Sequence, residues 1–160
     1  MISRLIGILF LFYAVVAAAE DPASDNRLTF VFGPYVRHFH DDPNHNDEPW
    51  LTGLEWQPSG SWLEYGAVFF RNSFYQPSVY TYVGKRWFAG ADEQGLFLNV
   101  TGGPLYGYRG QYEDKVPFNQ HGLTLAIIPG IGYQYRAATA QLVFLGTAAI
   151  LLAFGYDFSN

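Results

Sequence analysis

Cysteine is absent from the 160 residues, which excludes a disulfide framework and any thiol chemistry. It also argues against a small stapled extracellular module, which depends on such bridges. Charge is scarce. Only 14% of residues are Asp, Glu, Lys or Arg, against about 25% in ordinary domains. The balance is acidic, with a net charge of −5, so a nucleic-acid partner is excluded. Helical periodicity, internal repeats and low-complexity tracts are all missing. The one long apolar run, Leu5 to Val16, is shorter than the roughly 20 residues a spanning helix needs. With Arg4 before it and Ala17-Ala18-Ala19 after it, the run has the layout of a secretory signal peptide. Cleavage after Ala19 would leave a mature chain from Glu20 to Asn160, long enough for one domain.

Aromatic residues, by contrast, are abundant at 19%. Few charges and many Tyr, Phe and Trp suit an outer-membrane barrel with an apolar outer band and aromatic girdles. The mature chain divides into stretches of about ten residues, the length of a tilted transmembrane strand. The expected strands are Leu28–His38, Trp50–Gln57, Trp62–Phe70, Val79–Trp87, Gly95–Tyr108, Leu123–Tyr135, Ala137–Leu145 and Ala148–Phe158. Breakers stand between them at Pro58-Ser59-Gly60, Pro77, Gly90 and Gly110. Eight is even, as bacterial barrels prefer. The fold class is therefore all-β, an eight-stranded antiparallel transmembrane barrel. Alternation is clearest in the last strand. Ile150, Leu152, Phe154, Tyr156 and Phe158 form a bulky set that should face lipid. Ala149, Leu151, Ala153, Gly155 and Asp157 form a smaller set that should face the lumen. A soluble sandwich would carry polar outer faces, and strands 6 to 8 have almost none. The lumen set reads as apolar and small, which suits an acyl chain better than water.

With the N-terminus in the periplasm, His38 closes the first strand at the outer rim, and Asn72-Ser73 follow the third strand at the same rim. A histidine beside a hydroxyl, with an amide to orient the ring, is the equipment of acyl chemistry. A second tract, His38 to Glu48, holds three histidines and four acids. It lacks the helical spacing of a metalloprotease and reads as a hydrated loop, so no metal is expected. Lys85-Arg86, Arg109 and Lys115 could receive a lipid phosphate, although solvated charges are the plainer reading.

These residues resemble a known family. Tyr35-Val36-Arg37-His38, a polar loop closing on Pro49-Trp50, Phe70-Arg71-Asn72-Ser73, Gly84-Lys85-Arg86-Trp87 and Ile131-Gly132-Tyr133 occur in order over most of the mature chain. In this the chain is similar to the lipid A palmitoyltransferases, the PagP family, in the divergent form found in pseudomonads. The resemblance implies an eight-stranded barrel that moves palmitate from the sn-1 position of a phospholipid to a hydroxyacyl chain of lipid A. It implies His38 and Ser73 as catalytic residues, with Asn72 where the family usually has an acidic partner. Asp41, Asp42, Asp47 or Glu48 could supply the missing charge. Leu145 replaces a proline that opens a lateral lipid route in the family, while Pro129 remains for lateral access. Asp21 to Arg27 is too short for the family's amphipathic N-terminal helix. Tyr82 falls near the family's chain-measuring glycine. Gly66, Val68, Tyr82, Ala149 and Ala153 are the residues expected to line the acyl site.

The expected function is thus a monomeric outer-membrane acyltransferase with a phospholipid donor, a lipid A acceptor and no cofactor. A lipid A deacylase and a non-enzymatic structural or transport barrel are the rivals.

Overall fold

Period-two alternation runs through nearly every segment, and the backbone follows it. The computed structural model describes residues 26–40, 45–90 and 93–159. The signal peptide, its cleavage point, and Asp41 and Asp42 lie outside these residues. Eight strands form: β1 (Arg27–His38), β2 (Leu51–Gln57), β3 (Glu64–Arg71), β4 (Pro77–Phe88), β5 (Gly95–Tyr106), β6 (Leu123–Tyr135), β7 (Ala138–Leu145) and β8 (Ala149–Asp157). Each pairs antiparallel with its sequence neighbour, and β1 pairs with β8 to close the barrel. β3 begins two residues later than expected, because Trp62 belongs to the turn that precedes it, and β5 ends two residues earlier, at Tyr106. β4 is longer at its start, beginning on Pro77 itself. A proline is tolerated as the first residue of a strand, where its missing N–H leaves no gap in the ladder.

The outer face is apolar and rich in aromatics. Leu96, Leu98, Leu125, Ile127, Ile131 and Leu142 are all exposed, Ile127 to 79%. In β8 the bulky set points outward and the smaller set inward, as the alternation requires.

Inside, the barrel has two halves. The half nearer the end of β1 is apolar: Val31, Val36, Leu51, Val68, Tyr80, Leu105, Ala149 and Leu151 form one buried cluster, with Tyr82 at its boundary. The opposite half is polar and charged, which corrects the expectation of an apolar lumen throughout. Arg86 is buried there and bonds Glu55 and Glu64. The Tyr82 hydroxyl donates to Glu55 at 2.6 Å. Arg27 pairs with Glu93 at 3.3 Å and lies 3.9 Å from Asp157. Arg86 is therefore not a solvated charge. Lys85, its neighbour, faces outward with its ammonium 4.2 Å from the centre of the Trp62 ring. One residue of parity separates the two fates.

The wall is not uniformly sealed. β6 pairs with β5 along its whole length, but its ladder with β7 starts only at Gly130↔Val143. From Leu123 to Pro129, β6 has no ladder with β7 among the described residues. Pro129 sits where that ladder stops, and it has no N–H to extend it.

Candidate active site

The site lies at the rim where β1 ends, over the apolar half of the interior. His38 reaches it through a change of parity. Thr29, Val31 and Gly33 point inward at odd numbers, whereas Val36 and His38 point inward at even ones. Between these sets the β1–β8 register slips: Phe32 pairs with Phe154 and Tyr35 with Leu152. Three residues of β1 thus span two of β8, which is a bulge, at Gly33-Pro34. Without the extra residue His38 would point out of the barrel. Its partner on β8 is Ala149, 1% exposed, whose small side chain leaves room for the ring.

Ser73 is held by a tight turn between β3 and β4. Asn72 builds that turn. Its side-chain oxygen accepts the N–H groups of Phe74 and Gln76 at 2.9 and 3.0 Å. Its own N–H donates to the carbonyl of Gln76, at 2.9 Å. Asn46 then ties the first rim loop to this turn. Its N–H donates to the carbonyl of Ser73 at 2.9 Å, and its side-chain amide donates to the carbonyls of Arg71 and Asn72.

These supports bring three side chains into line. His38 Nε2 lies 2.8 Å from the Ser73 hydroxyl, and His38 Nδ1 lies 2.8 Å from Asp47 Oδ1. A carboxylate can only accept, so Nδ1 carries the ring proton and Nε2 of the neutral ring accepts from Ser73. This is the geometry in which imidazole removes a proton from a hydroxyl while an acid holds the ring. His45 lies against His38 with centroids 4.5 Å apart and the rings tilted by 36°, and its ring meets Phe74 edge-on at 5.4 Å. His38 is consequently buried, at 7% exposure, rather than a free loop residue.

Asn72 is not the partner of His38. Both ring nitrogens are engaged elsewhere, and the Asn72 oxygen is spent on the turn. Of the acids named as replacements for the family's aspartate, Asp47 lies against the ring, Glu48 follows it, and Asp41 and Asp42 are outside the described residues. The sequence could not choose among them, because loop closure rather than spacing brings Asp47 back: the carbonyl of Asp47 accepts the N–H of Val36 at 2.9 Å. Asn46 and His45, in the same tract, are supports that no local motif marks, because their contacts are to Ser73 and His38 across the rim.

The five expected lining residues separate. Val68, Tyr82 and Ala149 belong to the apolar cluster beneath the rim. Gly66 faces inward but is already covered: a β-carbon there would lie 2.2 Å from the Tyr82 ring. Ala153, although buried, stands beside Gln141 across the β7–β8 ladder. Tyr82 lies over its cross-strand neighbour Gly66 on β3 and reaches Glu55 on β2 with its hydroxyl, so it marks the boundary between the apolar cluster and the ionic half. Among the described residues no group of three or more His, Asp or Glu is arranged to hold a metal.

No protein-family model matches the chain, and no curated protein matches its sequence, so the geometry carries the functional reading.

Proposed function

We propose that this protein is an outer-membrane acyltransferase that moves palmitate from the sn-1 position of a phospholipid to a hydroxyacyl chain of lipid A. The observation that carries this reading is the Asp47–His38–Ser73 relay set at the mouth of an apolar interior. His38 Nε2 receives the proton of the attacking hydroxyl, which is either Ser73 itself or the acceptor's. That oxygen forms a new ester bond to the acyl carbon, the donor ester C–O bond breaks, and the departing glycerol oxygen takes the proton from His38. Where Ser73 is the attacker, the acceptor hydroxyl then gives its proton to His38 and takes the acyl group, and the released Ser73 oxygen takes that proton back. Asp47 holds the ring and steadies the imidazolium between the two transfers.

Three further features support it. An exposed apolar face of this extent, with Tyr133, Tyr135, Tyr156 and Phe158 at one end and Tyr35, Trp50 and Tyr106 toward the other, suits a bilayer and would be a liability in water. The missing β6–β7 ladder beside Pro129 supplies a lateral entrance for a lipid chain at the level of the apolar cluster. The ionic floor of Arg86, Glu55 and Glu64 blocks the far half, which disfavours a transport role.

The deciding experiment is mass spectrometry of lipid A from cells with and without the chain. A product heavier by one acyl group is expected. Release of free fatty acid without that product would replace transferase by deacylase. An unchanged lipid A with no fatty acid released would return the protein to the structural class. His38→Ala and Ser73→Ala should each abolish the added acyl group in barrels that still show heat-modifiable migration.

A further inference from the structure

Arg109 stands at the rim, three residues beyond β5, and the relay leaves it unused. Its backbone is tied to the turn that presents Ser73. The Gln76 side chain accepts the Arg109 N–H at 2.9 Å and donates to the Arg109 carbonyl at 3.1 Å. Gln76 itself is held in that turn by Asn72, whose side-chain oxygen accepts the Gln76 N–H at 3.0 Å. The Arg109 side chain is placed as well. A β-carbon on Gly122, just before β6, would lie 2.6 Å from Arg109 Cγ, so the stem runs against that glycine. The guanidinium carbon lies 5.7 Å from the centre of the exposed Tyr106 ring. Among the described residues Arg109 makes no ion pair. Glu113, the nearest acid in sequence, turns its carboxylate to the N–H of Gly110 instead, at 3.3 Å.

Below this exposed cation the wall is shaped for a lipid. Tyr106 pairs with Leu123, the first residue of β6, and Leu125 and Ile127 continue the same outward apolar face. This is the stretch of β6 that has no ladder with β7 among the described residues. Its alternate residues Ala126 and Ile128 turn inward and pack against the apolar cluster. A cation at the rim, an apolar track beneath it and an opening beside the track match the phosphate and acyl chains of one phospholipid. An arginine fork offers paired N–H donors to phosphate oxygens.

We propose that Arg109 anchors the phosphate of the donor phospholipid and seats its chains along Leu125 and Ile127, beside the opening. The proposal rests on the acyl-transfer reading and names the residue that holds its donor. The occupant is the donor rather than lipid A, because the donor alone has to pass a chain through the wall. Its head group must therefore wait where the wall opens, whereas the acceptor presents a hydroxyl at the rim.

The test uses the full chain folded in detergent, with lipid A saturating and two donors compared. Dipalmitoyl phosphatidylcholine carries the phosphate, and dipalmitoylglycerol carries the same two esters without it. Arg109→Gln should raise KM for the phosphatidylcholine about tenfold, the effect of one charge-assisted hydrogen bond, and leave kcat within about twofold. KM for dipalmitoylglycerol should stay within about twofold of wild type. An unchanged KM for phosphatidylcholine would overturn the proposal, as would an equal rise for both donors or a rise confined to lipid A. In each of those cases the acyl-transfer reading stands, provided wild type transfers and His38→Ala does not. If wild type transfers nothing, that reading falls, and native mass spectrometry of the detergent-released barrel decides the site by itself. Phosphatidylcholine retained by wild type and lost from Arg109→Gln would uphold it, and equal retention would overturn it.

Discussion

At the scale of residues, the site turns on two side chains whose roles are exchanged relative to expectation. Asn72 resembles a weakened acid but acts as a scaffold, while Asp47 is the acid. The difference is measurable. Asp47→Asn should lower kcat by at least about 10²-fold, because an amide does not stabilise imidazolium and can favour the wrong tautomer. The loss should stay below the ~10⁴-fold known for a buried triad acid, since Asp47 is 50% exposed and water replaces part of its charge. Asn72→Ala should act through folding. It removes two accepted backbone bonds and should cost about 1–3 kcal/mol in denaturant unfolding. Asn72→Asp retains both acceptors and should be tolerated. Tyr108, just beyond β5 and packed against the apolar cluster, adds a pH signature, because burial pushes its phenol up. Its phenol titrates above the ordinary value of about 10 in the folded protein, so folding favours the protonated form. That contribution is complete below the ordinary value and is lost as pH rises past it. Wild type should therefore lose stability above pH 10 more steeply than Tyr108→Phe, as read from unfolding midpoints across that range.

Among the secondary-structure elements, the bulge in β1 has the largest consequence. A one-residue slip of parity reverses every side chain beyond it. Deleting Pro34 should close the bulge and turn His38 and Val36 outward while β1 still pairs with β2 and β8. The barrel should fold, with strand content unchanged by circular dichroism, and acyl transfer should drop to the level of His38→Ala. Retained activity would mean that His38 reaches the rim without the bulge. Tyr82 on β4 belongs to the same scale. Because its ring stands at the boundary of the apolar half, over Gly66 and bonded to Glu55, Tyr82→Gly should lengthen the acyl chain the barrel accepts. Each added methylene gains about 0.8 kcal/mol of burial, enough to shift selectivity in acyl-chain profiling of the product. Gly66→Met, an obvious way to shorten the chain, would collide with Tyr82 and should instead disturb that boundary.

The whole molecule is a barrel with one apolar and one ionic half. The ionic half is a commitment of the fold. Arg86 is buried against two carboxylates, so Arg86→Ala would leave Glu55 and Glu64 facing each other without compensation. Removing one partner of a buried pair typically costs about 3–5 kcal/mol, and urea titration of the folded barrel should show a loss of that order. Opening this floor should also admit water, so Arg86→Ala should raise the conductance of planar bilayers above that of wild type. A silent variant would place the seal elsewhere in the lumen.

The sequence by itself determined the architecture. Period-two alternation, eight segments of strand length and the breakers between them suffice, because strand pairing between neighbours is local and the alternation is written residue by residue. It also singled out His38 and Ser73, since both stand at strand ends that topology puts on one rim. The tertiary structure alone decided the rest. Which acid meets the ring depends on how the first rim loop folds back, and Asn46 controls that through bonds to a loop more than twenty residues away. Whether Arg86 is solvated or buried depends on strand register, as does the seating of Tyr82 over Gly66. The bulge that aims His38 inward is visible only where β1 is counted against β8. Contacts of this kind are set by closure of the barrel, and no local pattern in the chain records them.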